Sequence, residues 1–124
     1  MIWMMAERAS HSAVALLAGG DERGAVNRAY YAIFYAARAS LLAVEPVLGN
    51  TKSHSEVLRR FSKFVVLDKG MDRDHGRFLK NTFRLRMLAD YEFSEIDLSD
   101  IDAIVAKSSN FLVAVKTAVP DAAR

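Results

Sequence analysis

No cysteine occurs in the 124 residues, so neither a disulfide framework nor a thiolate metal site can hold this chain together. The fold has to be held by packing. Proline occurs only at Pro46 and Pro120, both outside the periodic apolar segments, which leaves long helices uninterrupted. No apolar run approaches the ~20 residues of a membrane span. The apolar opening Met1-Ile2-Trp3-Met4-Met5 is broken by Glu7 and Arg8 before a signal-peptide core can form. A cytoplasmic location with no membrane contact is the expectation. There is no glycine-rich phosphate loop, no Glu-x-x-His pair and no zinc-type histidine spacing, so neither a metal nor a cofactor is expected. Helix–turn–helix spacing and a basic zipper are missing too, which sets aside sequence-specific DNA binding.

What is present is helical patterning. At 52% hydrophobic, the chain can build one core but not two, and residues 1–124 read as a single all-α domain, an antiparallel bundle of about five helices. The first spans about 3–18 and is closed by Gly19-Gly20, with Asp21 placed to cap the next. The second, 22–44, is the most apolar and should be central. Val26, Tyr30, Ile33, Ala37, Leu41 and Val44 form its inward stripe, Ala32, Ala36 and Ala39 a small-residue flank, and Arg28, Tyr31, Tyr35 and Arg38 a third line. A loop over 45–52 leads to Ser53-His54-Ser55-Glu56, which has the form of a capping box and starts a third helix ending near residue 67. The fourth runs over about 73–90, with Phe78, Thr82, Leu85 and Ala89 inward and Arg77, Arg84 and Tyr91 on another face. Ser99-Asp100-Ile101-Asp102 can cap a fifth that reaches about 118, with Ile101, Ile104, Val105, Phe111, Leu112 and Val115 as its apolar side.

Net charge is only +2, but it is unevenly spread. Residues 52–86 carry ten basic side chains against four acidic ones, whereas 90–102 carry six acids and no base. One part of the surface should attract polyanions and another repel them.

Three separated segments, Arg28-Ala29-Tyr30-Tyr31-Ala32-Ile33-Phe34-Tyr35-Ala36-Ala37-Arg38-Ala39, Thr51-Lys52-Ser53-His54-Ser55 and Leu88-Ala89-Asp90-Tyr91, together resemble one branch of the HEPN family, over roughly residues 6–116. The resemblance implies a helical bundle, homodimerisation, and pairing with a small MNT-type nucleotidyltransferase in a toxin–antitoxin arrangement. It also implies metal-independent RNA cleavage, carried in such domains by an arginine followed four to six residues later by histidine. Here the arginine is matched by Arg84, and Ala89 or Asp90 stands where the histidine belongs. Alanine cannot move a proton, and an exposed aspartate is a weak base. Arg84, Asp90 and Tyr91 are the catalytic candidates, and family analogy makes Tyr91 the natural acceptor if a partner nucleotidylates this chain.

Of the three histidines, His11 reads as surface and His75 as a solvated helix end. His54 stands with Lys52, Ser53 and Ser55 at a helix N-terminus, where free N–H groups favour an anion. With Arg28 and Arg86 these residues, Lys52, Ser53 and His54, form the expected contact for RNA phosphate or a nucleotide. Tyr31, Tyr35 and Arg38 are assigned to a dimer or packing face, since tyrosine and arginine are enriched at interfaces. Two functional readings follow: a HEPN toxin acting on RNA, or a noncatalytic dimeric HEPN module that binds nucleotide or supports a partner nucleotidyltransferase. A helical scaffold serving assembly alone is the third.

Overall fold

The structure, a computed structural model, describes residues 2–91 and 98–124; the side chains of 88–91, 98 and 99 lie outside the described residues. It contains α1 (Ile2–Ala18), α2 (Glu22–Val44), α3 (Pro46–Gly49), α4 (His54–Phe61) running on into a π-helical segment (Ser62–Leu67), α5 (Arg73–Tyr91), α6 (Leu98–Ala118) and a closing 3₁₀ turn (Pro120–Ala123). Among the described residues there is no strand, and no helix is long and apolar enough to cross a membrane.

The ends of α2 follow from local chemistry. Gly20 adopts φ +86°, open to glycine at little cost, and turns the chain out of α1. The Gly24 N–H then donates to Asp21 Oδ1 at 2.9 Å, which satisfies one of the free donors of the first turn. At the other end Glu45 is extended and Pro46 opens the single turn of α3, in a segment expected to be loop. Proline at the first helical position has its φ already set, and its missing N–H costs nothing there.

Helix α2 is the centre of the bundle. Val26, Tyr30, Ile33, Ala37 and Leu41 are fully buried as their spacing predicts, Ala25, Ala29 and Phe34 join them, and Val44 is half-buried at the end. Helix α1 makes the most extensive contact with it, and it does so through Ala6, Ala9 and Ala13, small enough to let the two backbones approach. Phe61 from α4, Leu79 from α5, and Phe111 and Val115 from α6 complete the main core. Ala13, Ala25, Val26, Ala29, Ile101 and Val105 make a second cluster at the other end of α2.

Some local details differ from the sequence pattern. The third helix reaches Leu67 as expected, but its second half is wound as a π-helix. That winding bonds each residue to the fifth along, so Phe61 and Val66 both reach the core although an α-helix would turn them apart. Only half of the capping box forms: Ser53 Oγ accepts the Glu56 N–H at 3.3 Å, while the Glu56 carboxylate is drawn away to Arg59 (2.9 Å) and Arg60 (3.2 Å). Among the described side chains of α5, Leu79 and Thr82 are buried and Phe78 and Leu85 only half-buried, whereas the Ala89 side chain lies outside the described residues. Helix α6 starts at Leu98, so Ser99 stands inside its first turn and cannot be the cap.

The turn α3 is pressed against α2. A Cβ on Gly49 would overlap the Leu42 side chain and come within 2.9 Å of the Leu42 backbone nitrogen. Arg38 Nε donates to the Gly49 carbonyl at 2.9 Å and an Arg60 terminal nitrogen to the Leu48 carbonyl at 3.0 Å, so two cations hold the last carbonyls of the turn. Gly49→Ala should therefore destabilise the fold by about 1–3 kcal/mol, as overpacking does. Urea unfolding checks this; an unchanged midpoint would show that α3 can lift away freely.

Candidate functional site between α2, α4 and α5

Tyr30 sits in the apolar stripe of α2 with no exposed surface, and its hydroxyl therefore needs a partner. That partner is His54 Nδ1, at 2.7 Å. His54 is the first residue of α4, and the Ser53 cap fixes where that helix begins. Its ring lies nearly parallel to Phe34, with centroids 4.2 Å apart, and packs between Tyr30 at 5.7 Å and the edge-on Tyr31 at 6.0 Å. Phe83 of α5 closes the cluster at 6.0 Å.

Arg86 enters from α5. It follows Leu79 by seven residues and Thr82 by four, so it shares their inward face. Its guanidinium carbon stands 5.2 Å from the Tyr31 ring centroid and 5.7 Å from that of Tyr30. Arg28 reaches the Tyr31 ring as well, at 5.0 Å, steadied by two bonds to Asn27 Oδ1 at 3.2 and 3.0 Å. The π faces attract both cations. Yet Arg86 Nε is buried with no hydrogen-bond partner among the described residues.

Burial also sets the protonation states. It pushes the Tyr30 phenol well above its ordinary range, against a smaller opposing pull from Arg86, so the hydroxyl keeps its proton. It holds His54 below the usual imidazole value, and the Arg86 charge adds to that effect. At neutral pH the ring is therefore uncharged. The same Tyr30 contact serves either tautomer: the hydroxyl donates to a bare Nδ1 or accepts from a protonated one, leaving Nε2 as the nitrogen free for other chemistry.

Of the residues expected to touch phosphate, Arg28, His54 and Arg86 come together here. Lys52 and Ser53 are exposed beside them at the start of α4, with Ser53 occupied as the cap. Tyr31 and Tyr35, expected on a dimer or packing face, are half-buried against each other with centroids 5.6 Å apart. Arg38, in the same expected group, is committed to Gly49 of its own chain. Arg84 stands apart from Arg86: two residues on a helix are ~200° apart, and Arg84 is exposed on the far side of α5. The four arginines of these sets, Arg28, Arg38, Arg84 and Arg86, are thus divided among three places. Asp90 and Tyr91 close α5, and their side chains lie outside the described residues. The sequence reading missed Phe34 and Phe83 as walls and the Tyr30–His54 bond; the one available signal was a hydroxyl in an otherwise apolar stripe.

The HEPN domain matches residues 2–118 of this chain. The chain belongs to the HEPN family. It is similar to a Methanocaldococcus jannaschii protein named "Putative toxin MJ0605", 31% identical over 99 residues, covering 80% of this chain and 72% of that one. A UPF0332 protein of Thermotoga maritima is 35% identical, with 81% and 74% covered, and the UPF0332 protein glr0978 of Gloeobacter violaceus 37% identical, with 70% and 68% covered. This HEPN chain therefore carries the family's bundle, with a tyrosine–histidine–arginine cluster where α2, α4 and α5 meet.

NMR titration should place the His54 midpoint below the ordinary ~6.5 of histidine, and Arg86→Ala should move it upward by removing the second of the two lowering effects. Because the folded value is the depressed one, the folded state is fully favoured above the unfolded value and loses stability as pH falls below ~6.5. A midpoint above 6.5, or one unmoved by Arg86→Ala, would contradict the picture.

Proposed function

We propose that this protein is a toxin-like member of the HEPN family that acts on RNA as a metal-independent endoribonuclease, with His54 and Arg86 at its reacting centre. The observation that carries this reading is an imidazole fixed through Nδ1 and held below its usual range by burial, beside an arginine whose buried Nε has no hydrogen-bond partner among the described residues. A guanidinium in that state is suited to a phosphate, and a neutral histidine to taking a proton. In the step proposed, the RNA 2′-oxygen forms a bond to phosphorus and gives its proton to His54 Nε2. Arg86 offsets the charge that builds on the phosphoryl oxygens. The bond to the 5′-oxygen breaks, and that oxygen takes a proton back from the imidazolium. The products are a 2′,3′-cyclic phosphate and a 5′-hydroxyl.

On this reading His54 fills the role left open by Ala89 and Asp90, and the working arginine is Arg86 rather than Arg84. Arg28 and Lys52 steer the backbone of the RNA. Asp90 follows Arg86 by one helical turn and remains the second candidate base. The toxin name borne by a relative supports the biological setting, a toxin–antitoxin pair in the cytoplasm. The antitoxin we infer is an MNT-type nucleotidyltransferase, with this chain as a homodimer and Tyr91 open to modification by that partner.

One observation favours the alternative, a noncatalytic HEPN module that binds nucleotide or supports the transferase. His54 is stacked 4.2 Å from Phe34 and tied to Tyr30, which is also how a structural histidine would be held. Incubation of labelled total RNA with the purified protein in EDTA separates the two. Cleavage should fall by about 100-fold or more in His54→Gln and in Arg86→Ala, and stay within about threefold in Arg84→Ala. Absence of cleavage in the wild type would leave the noncatalytic module.

A further inference from the structure

A groove separates α4 and its π-helical extension from α5, on the side of α5 turned away from Arg86. Arg73, Arg77, Lys80 and Arg84 follow one another at spacings of four, three and four, so they line one edge of it over ~16 Å of helix. Leu58, Phe83 and Met87 line a recess of about 570 Å³. Val66, Leu67 and Met71 line a second of about 460 Å³, and the two meet at Ser62, Gly76 and Lys80. Leu67 is 67% and Met87 45% exposed, so the apolar lining is open to water. Among the described residues the basic edge is nearly unneutralised: of its four cations only Arg77 makes an ion pair, to an exposed Asp74 at 3.5 Å.

We propose that this groove docks an acidic amphipathic helix of a partner protein. An apolar channel edged by the four cations of α5, with Arg59 on the opposite wall already paired to Glu56, is matched by a helix with an apolar row and a flank of carboxylates, the helix-in-groove mode of recognition. The basic edge spans about three helical turns, enough to seat apolar anchors at i, i+3 or i+4, i+7 and i+11. Charge complementarity speeds the encounter, and the apolar channel supplies the burial. A nucleic acid would match the edge but not the lining, where aliphatic and thioether side chains meet no phosphate and Phe83 is the single aromatic available to stack a base. The wall opposite α5 is the π-helical segment, a winding found often where helices serve a function. The proposal does not rest on RNA cleavage.

The probe is a fluorescein-labelled 16-residue peptide with leucines on one helical face and glutamates flanking them, titrated into the full-length protein and followed by anisotropy and circular dichroism. The expected result is saturable binding with a gain in helicity, weakened at least tenfold by scrambling the leucines and at least tenfold in the Arg77→Glu/Lys80→Glu variant. Both substituted residues are exposed, so that variant should unfold at the wild-type midpoint, and its RNA cleavage, where present, should be unchanged. No saturable binding, or equal affinity for the scrambled peptide, would overturn the proposal. So would a single-stranded RNA 12-mer that binds in the peptide's place and loses affinity in the same variant, or a dimer that the variant splits, which would assign the groove to nucleic acid or to a second copy.

Discussion

A buried phenol sets the terms for the rest of the molecule. Tyr30 lies in the middle of the helix that every other long element packs against, and burying its hydroxyl unpaired would cost about 1–3 kcal/mol. His54 meets that need, and in doing so fixes where α4 begins relative to α2. The ring brought in to satisfy a polar atom in the core is thereby placed beside Phe34, Tyr31 and Arg86. A requirement of packing has put a titratable group next to a cation.

The arginines show how position on a helix separates residues that look equivalent in the sequence. Arg84 and Arg86 differ by two places and face opposite sides of α5, one toward an open groove and the other into the aromatic cluster. Arg38 and Arg60 meet from different helices on the carbonyls of α3 and serve the fold. Among the positive charges between residues 52 and 86, Arg86 is thus a cation set beside aromatic rings, Arg60 is bonded to a backbone carbonyl, and Arg73, Arg77, Lys80 and Arg84 form a solvated stripe along α5. The bundle accommodates all three because its core, drawn from α1, α2, α4 with its π-helical extension, α5 and α6, is filled by small, aliphatic and aromatic side chains.

Much of this was determined by the sequence alone. The all-helical class, the central place of α2 and its cap at Asp21 follow from apolar periodicity and local hydrogen bonding, which act over a few residues and so leave a pattern along the chain. The three motifs shared with the HEPN family reside there as well, since they are matters of order and spacing. Tertiary structure alone decided the rest: that Tyr30 finds His54 across 24 residues, that Arg86 and not Arg84 turns inward, that the second half of the third helix is π-wound, and that a proline-led turn fills the expected loop. Each of these depends on which surfaces meet. Periodicity says that a face is apolar, but the distance and angle at which another helix arrives on that face are settled only when the whole core closes.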